Sequence, residues 1–229
     1  MLRAILFDLD ATLYDPAEYY DGAFREICRD LAGRYARPEG ELLSRLSGLW
    51  RQLTSRDPHL FDRFLAAAAL PASEVPRLVE RFHAHRPTLT LYPDARAVLD
   101  CLDGVVPMGL VTNGHPGMQR SKIAALGLDQ RLEPIVCTGE YPREWRKPGS
   151  AAFAFASSEL GLPPTDVLYV GDDPLADADG PRALGMPVVR LRRGEYRDLP
   201  APAGAFLGVI EQLTELLPWF EEVRVEGSR

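Results

Sequence analysis

Apolar residues gather along this chain in two different patterns, and the difference divides it. Short runs with almost no polar interruption recur at Ala4-Ile5-Leu6-Phe7, Met108-Gly109-Leu110-Val111, Pro134-Ile135-Val136-Cys137, Val167-Leu168-Tyr169-Val170 and Pro187-Val188-Val189. Runs this short that do not alternate fit strands covered on both faces, as in a parallel sheet. Segments of helical character lie between or after the later runs, at 94–102, 117–126, 149–160, 175–184 and 206–217, the second stopped by Gly127. Strands alternating with helices predict an α/β fold with a doubly wound, mostly parallel sheet.

Residues 16–87 break that rhythm. They hold no strand pattern and read as four helices near 17–35, 39–53, 59–70 and 73–85. In the first, Tyr20, Phe24, Ile27, Leu31 and Tyr35 recur at spacings of three and four, which makes one apolar stripe. Pro38, Pro58 and Pro71 stand where helices would begin or end. The stretch RPTLTLYPD (86–94) reads as an extended return. The expected organisation is an α/β core of residues 1–15 and 88–229, interrupted after its first strand by an all-helical domain of residues 16–87.

Composition narrows the function. With 46% hydrophobic and 26% charged residues the chain is that of a globular protein. No apolar run approaches the roughly 20 residues of a membrane helix, and Asp8 and Asp10 interrupt what would be the apolar core of a signal peptide. Cys28, Cys101 and Cys137 are odd in number and far apart, a pattern of no disulfide framework. A cytoplasmic protein with no membrane partner is expected. A net charge of -7 argues against a nucleic-acid partner, whose phosphates need clustered Lys and Arg. An anionic substrate must then be held by a local site. Of the 26 basic residues only Lys122 and Lys147 are lysines.

Open α/β sheets bind ligands beyond the carboxyl ends of their strands, so the residues found there matter most. The first strand gives Asp8 and Asp10, the second Thr112-Asn113-Gly114. A loop after the third leads to Arg146-Lys147-Pro148, and the fourth ends Gly171-Asp172-Asp173 with Asp177 beyond. Alternation along a strand would set Asp8 and Asp10 side by side, where two carboxylates repel unless something neutralises them. Each item alone has an ordinary reading as a turn, a cap or a solvated end. Jointly they do not. Oxygen ligands so gathered suit Mg²⁺, which takes one or two carboxylates and substrate phosphate, while a hydroxyl, an amide and a lysine suit phosphoryl oxygens. Lys147, retained in a chain that otherwise uses arginine, offers a compact point charge; Lys122 reads as a surface residue.

The stretches DLDATLYD, LVTNG, RKPG and VGDDPLAD resemble, in order and spacing, the four motifs of the haloacid dehalogenase-like (HAD) superfamily. The resemblance covers essentially the whole chain and lies toward the branch of small-molecule phosphatases. It implies a Rossmann-like core with an inserted C1-type cap. It implies a phosphomonoester hydrolase with Asp8 as nucleophile and Asp10 as acid and base. Thr112 and Asn113 would bind phosphoryl oxygens, and Lys147 would steady the nucleophile. Mg²⁺ would be held by Asp8, the carbonyl of Asp10 and Asp172, with Asp173 and Asp177 as ligands or supports.

Departures from the pattern are Ala11 where glycine is usual, Asp173 where serine is common, Pro181, and Trp145, which is placed to reach the site from its loop. Tyr14, Asp15, Tyr19, Tyr20, His83 and His85 are candidates for selecting the leaving group. A phosphomutase uses the same two aspartates and stays open as the second reading. A 2-haloacid dehalogenase is disfavoured because its branch lacks an acid at the position of Asp10. A phosphonatase would need a cap lysine that residues 15–90 lack. A non-catalytic binding module is disfavoured by the intact set of reactive side chains. The natural substrate and the oligomeric state, monomer or homodimer, stay open.

Overall fold

A computed structural model describes residues 2–53 and 57–220. The chain divides into two units, Met1–Pro16 with Leu89–Arg229, and Ala17–Thr88. The first is built on strands β1 (Ala4–Phe7), β2 (Met108–Thr112), β3 (Ile135–Cys137), β4 (Val167–Gly171), β5 (Val188–Leu191) and β6 (Gly208–Ile210). They form one sheet in the order β3-β2-β1-β4-β5-β6, with every pairing parallel. This is the doubly wound order, and its direction of winding reverses between β1 and β4. Phe7 lies opposite Leu110 on one side and Val170 on the other. In a parallel sheet the carboxyl ends share one edge, so Asp8, Thr112 and Asp172 all leave from that edge.

The second unit is helical: α1 (Pro16–Tyr35), α2 (Glu39–Leu53), α3 (Leu60–Ala67) and α4 (Val75–Ala84). The stripe of α1 buries Phe24, Ile27 and Leu31 against Leu42, Leu46, Phe64, Leu65 and Leu78. Its charges pair at the margin of that core. Asp30 takes Arg77 and Arg81 at 2.8 and 3.0 Å, and Glu74 takes Arg34 and the Tyr35 hydroxyl.

Four more helices belong to the sheet unit: α5 (Pro93–Leu102), α6 (Pro116–Ala125), α7 (Ala151–Glu159) and α8 (Asp179–Ala183). Ala152, Phe153 and Ala156 of α7 pack on Leu6, Val111, Val136 and Tyr169 of the sheet. Gly127 lies just past α6 at φ 66°, the left-handed stop its position predicts. Two expectations are corrected. The helix expected over 175–184 is only Asp179–Ala183, because residues 173–177 close a turn in which Asp177 N–H donates to Asp173 O at 2.9 Å and Leu175 N–H to the Asp173 carboxylate at 3.0 Å. The helix expected over 206–217 is instead the edge strand β6 and a 3-10 helix, Leu213–Phe220, containing Pro218.

Candidate active site

Asp8 follows β1 directly, its N–H donating to Val170 O at 2.8 Å, and its side chain is buried. Lys147 meets it from the loop after β3. The Lys147 ammonium donates to Asp8 Oδ1 at 2.6 Å, Asp177 Oδ1 at 2.7 Å and the Tyr169 hydroxyl at 2.9 Å. Tyr169 in turn donates to Asp177 Oδ1 at 2.8 Å, while Asp177 Oδ2 accepts the Asp173 N–H at 2.9 Å. Asp177 is 0% exposed. Its carboxylate lies so close to the backbone that a Cβ on Gly171 would stand 2.2 Å from Oδ2, which is why glycine precedes Asp172.

Ligand oxygens of Asp8, Asp172 and Asp177 lie within 4.8 Å of one another. Three buried acids against one lysine leave excess negative charge. Burial, with Asp177 and Asp10 nearby, pushes the Asp8 carboxyl up to about 7 against the opposing pull of Lys147. Burial, with Asp8 and then Asp177 nearby, pushes Asp172 well above the usual carboxylate range. Lys147 is held charged because its two carboxylates outweigh the burial that opposes its charge. Asp172 Oδ2 is buried without a partner. A hard divalent cation fits such a place: it would use that idle oxygen and relieve the surplus charge. Asp173 stands outside the group, its carboxylate capping Leu175.

The second aspartate is not paired with the first by strand alternation, because β1 ends at Phe7. Each carboxylate has its own lysine. Lys122, on α6, is buried and donates to Asp10 Oδ1 at 2.7 Å, so the expectation of a surface residue is corrected. Tyr14 donates to the same oxygen at 2.5 Å, and Gln119 to Oδ2 at 2.9 Å. Partial burial works against the Asp10 carboxylate, but Lys122 and these donors outweigh it and hold the group below its ordinary pKa. Gln119 also donates to Thr112 Oγ1 at 2.7 Å. The turn that follows Asp10 carries Ala11 at φ 57°, the left-handed region that glycine occupies freely.

Asn113 is spent on the loop of Lys147. Its amide donates to Lys147 O at 3.0 Å and accepts from Lys147 N–H at 2.9 Å and the Thr138 hydroxyl at 2.7 Å. Trp145 stacks on Tyr141, centroids 4.3 Å apart, and packs beside α7; its place in the site is withdrawn, because its ring is committed to the core. In the helical unit Tyr19 donates to Phe82 O at 2.5 Å, Tyr20 stacks on Trp50 at 4.6 Å, and buried His85 lies against Gly22. These rings pack that unit. Gln119, Lys122 and Tyr169 were missed as site residues. The scarcity of lysine that singled out Lys147 applied equally to Lys122.

The family model for "haloacid dehalogenase-like hydrolase" matches residues 2–185. The chain belongs to this family. Among its HAD-like relatives, a glyceraldehyde 3-phosphate phosphatase of Methanopyrus kandleri is 33% identical over 208 residues, 87% of this chain and 88% of that one. A phosphoglycolate phosphatase of Xylella fastidiosa is 32% identical over 191 residues, 81% of this chain and 78% of that one. A HAD-hydrolase of Bacillus subtilis, solved bound to magnesium, shares the fold at a TM-score of 0.68 and 20% identity, covering 96% of this chain and 99% of that one. This HAD-like chain is a phosphomonoester hydrolase. No described helix is long and apolar enough to cross a membrane.

Proposed function

We propose that this HAD-like hydrolase cleaves a small-molecule phosphomonoester through an aspartyl-phosphate on Asp8, with Mg²⁺ as cofactor. The observation that carries the reading is the buried Asp8–Lys147–Asp177 set beside the partnerless Oδ2 of Asp172, at the point where the sheet reverses. Asp8 attacks phosphorus and the substrate's alcohol leaves, splitting a hard step into two easier ones. Asp10, in the protonated form it must first reach against the pull of Lys122, gives the leaving oxygen its proton. It then takes one from the water that attacks the aspartyl-phosphate, which frees inorganic phosphate and restores the Asp8 carboxylate. Lys147 holds Asp8 in line and offsets charge on the phosphoryl oxygens. The Thr112 hydroxyl and the backbone N–H of Asn113 bind those oxygens, since the Asn113 amide already secures Lys147. Asp8, Asp172 and the backbone carbonyl of Asp10 would hold Mg²⁺, which when bound would supply the positive charge that lets carboxylate and phosphate meet. Asp177 steadies Lys147, and Asp173 closes the loop behind Asp172.

The helical unit is read as a C1-type cap, and the protein as a cytoplasmic enzyme whose three free cysteines suit a reducing compartment. The names of the relatives point to small phosphorylated metabolites, so glyceraldehyde 3-phosphate, phosphoglycolate and phosphoserine lead the substrate screen. The test is acid-quenched protein after mixing with substrate and Mg²⁺. An acyl-phosphate on the peptide carrying Asp8, with turnover abolished in Asp8→Asn, is expected. Activity of Asp8→Asn within tenfold of the parent would overturn the assignment.

A further inference from the structure

Lys122 is a buried cation that the reaction as written leaves without a task. Its side chain is 3% exposed, and its ammonium lies 2.7 Å from Asp10 Oδ1. With the Tyr14 hydroxyl on the same oxygen at 2.5 Å and the Gln119 amide on the other at 2.9 Å, three donors reach one carboxylate. An aspartate has few torsions, and donors on both oxygens fix them all. An ion pair that buries its lysine is a poor device for stability alone, because taking the ammonium out of water offsets much of the attraction. It is a good device for orientation. Proton transfer needs the donor within about 2.6–3.2 Å of its target, and a displacement of about 1 Å costs about 10²-fold in rate.

We propose that Lys122 is a positioning residue for the reaction. With Gln119 and Tyr14 it fixes the Asp10 carboxylate in one orientation, and Gln119, bonded at once to Asp10 and to Thr112 Oγ1 (2.7 Å), sets the proton donor and the phosphoryl-binding hydroxyl as one unit. Gln119 and Lys122 stand three apart on α6, which brings both onto one face of that helix. The lysines thereby divide the work: Lys147 serves the nucleophile and Lys122 the acid and base. This proposal rests on the role given to Asp10 above.

The experiment compares single-turnover phosphorylation by glycerol 1-phosphate, whose alkoxide needs a proton, and by 4-nitrophenyl phosphate, whose phenolate does not. The proteins are the parent, Asp10→Asn, Lys122→Met, Lys122→Arg and Gln119→Leu. Lys122→Met should slow the alkyl ester about 10–100-fold and the aryl ester less than about threefold, leaving KM nearly unchanged. Lys122→Arg should recover most of the alkyl rate, since charge and donor return. Gln119→Leu should repeat the leaving-group dependence and also raise KM for both esters, because Thr112 loses a partner. It carries the same comparison should Lys122→Met fold poorly. Equal losses on the two esters, or an alkyl rate within threefold of the parent, overturn the proposal and leave Lys122 a strut. Failure of the underlying reading has a different signature: Asp10→Asn itself would then show no preference between the esters.

Discussion

Exchanging Lys147 for methionine keeps length and apolar stem but removes the ammonium, and its cost can be worked from the site. The ammonium lies 2.6 Å from Asp8 and 2.7 Å from Asp177, both buried, with Asp172 beside them. Removing one partner of a buried pair strands the other and costs about 3–5 kcal/mol. Total stability is about 5–15 kcal/mol, so the loss is a large share of it. The stranded acids can escape by taking protons, which makes the cost depend on pH. Asp8 is already raised toward neutrality, and without Lys147 it rises further. A carboxyl with a folded pKa above its unfolded value costs nothing below the unfolded pKa. The penalty grows as pH rises and levels off above the folded pKa. Because Asp8 of the parent itself titrates at about 7, the deficit of Lys147→Met should be smallest near pH 5 and should grow as pH rises through 7, still rising at pH 8.5. Urea denaturation of parent and variant in chelator, repeated across that range, measures it. Adding Asp177→Asn, which removes one stranded charge, should return part of the loss. A deficit under about 1 kcal/mol at pH 8.5, or one constant with pH, would refute the reasoning.

Mg²⁺ affinity should rise with pH through neutrality, because burial holds protons on Asp8 and Asp172 that the cation must displace; calorimetry in buffers of different ionisation heat should record proton release, and a flat affinity from pH 6 to 8.5 would count against the site. Chelation should silence the enzyme reversibly, and Ca²⁺ should inhibit, being larger and looser in coordination; undiminished turnover in excess chelator is the contrary result. Gly194→Ala should destabilise by about 2 kcal/mol or more, as its φ is +66° and the new Cβ would stand 2.6 Å from that of Ala11. Ala11→Gly should be close to neutral, because relief of left-handed strain, about 1–2 kcal/mol, is offset by the freedom glycine gains unfolded. Thermal melts should show Ala11→Gly partly rescuing Gly194→Ala, and simple additivity would sink the pairing.

Much of the sheet was legible because parallel strands are covered on both faces and read as unbroken apolar runs. Five such runs correspond to β1 through β5. β6 was not legible. It is three residues long at the sheet's edge, with Val209 55% exposed, so burial imposed no pattern on it. Nor was the turn at 173–177, which is held by the side chain of Asp173 and so breaks a helical spacing from within.

The gathering of Asp8, Thr112 and Asp172 also followed from the sequence, because parallel strands must end along one edge and these residues stand at or just past those ends. What the sequence did not decide is which groups meet. Lys122 is 112 residues from Asp10 and Lys147 is 139 from Asp8, and nothing local tells one lysine from the other. Asn113, placed by its strand to face a phosphate, gives its amide to Lys147 instead. Spacing along a chain determines which face of an element a residue occupies. What that face then touches, and whether a charge there is buried with a partner or left in water, depends on packing between segments far apart, and only the tertiary structure contains that.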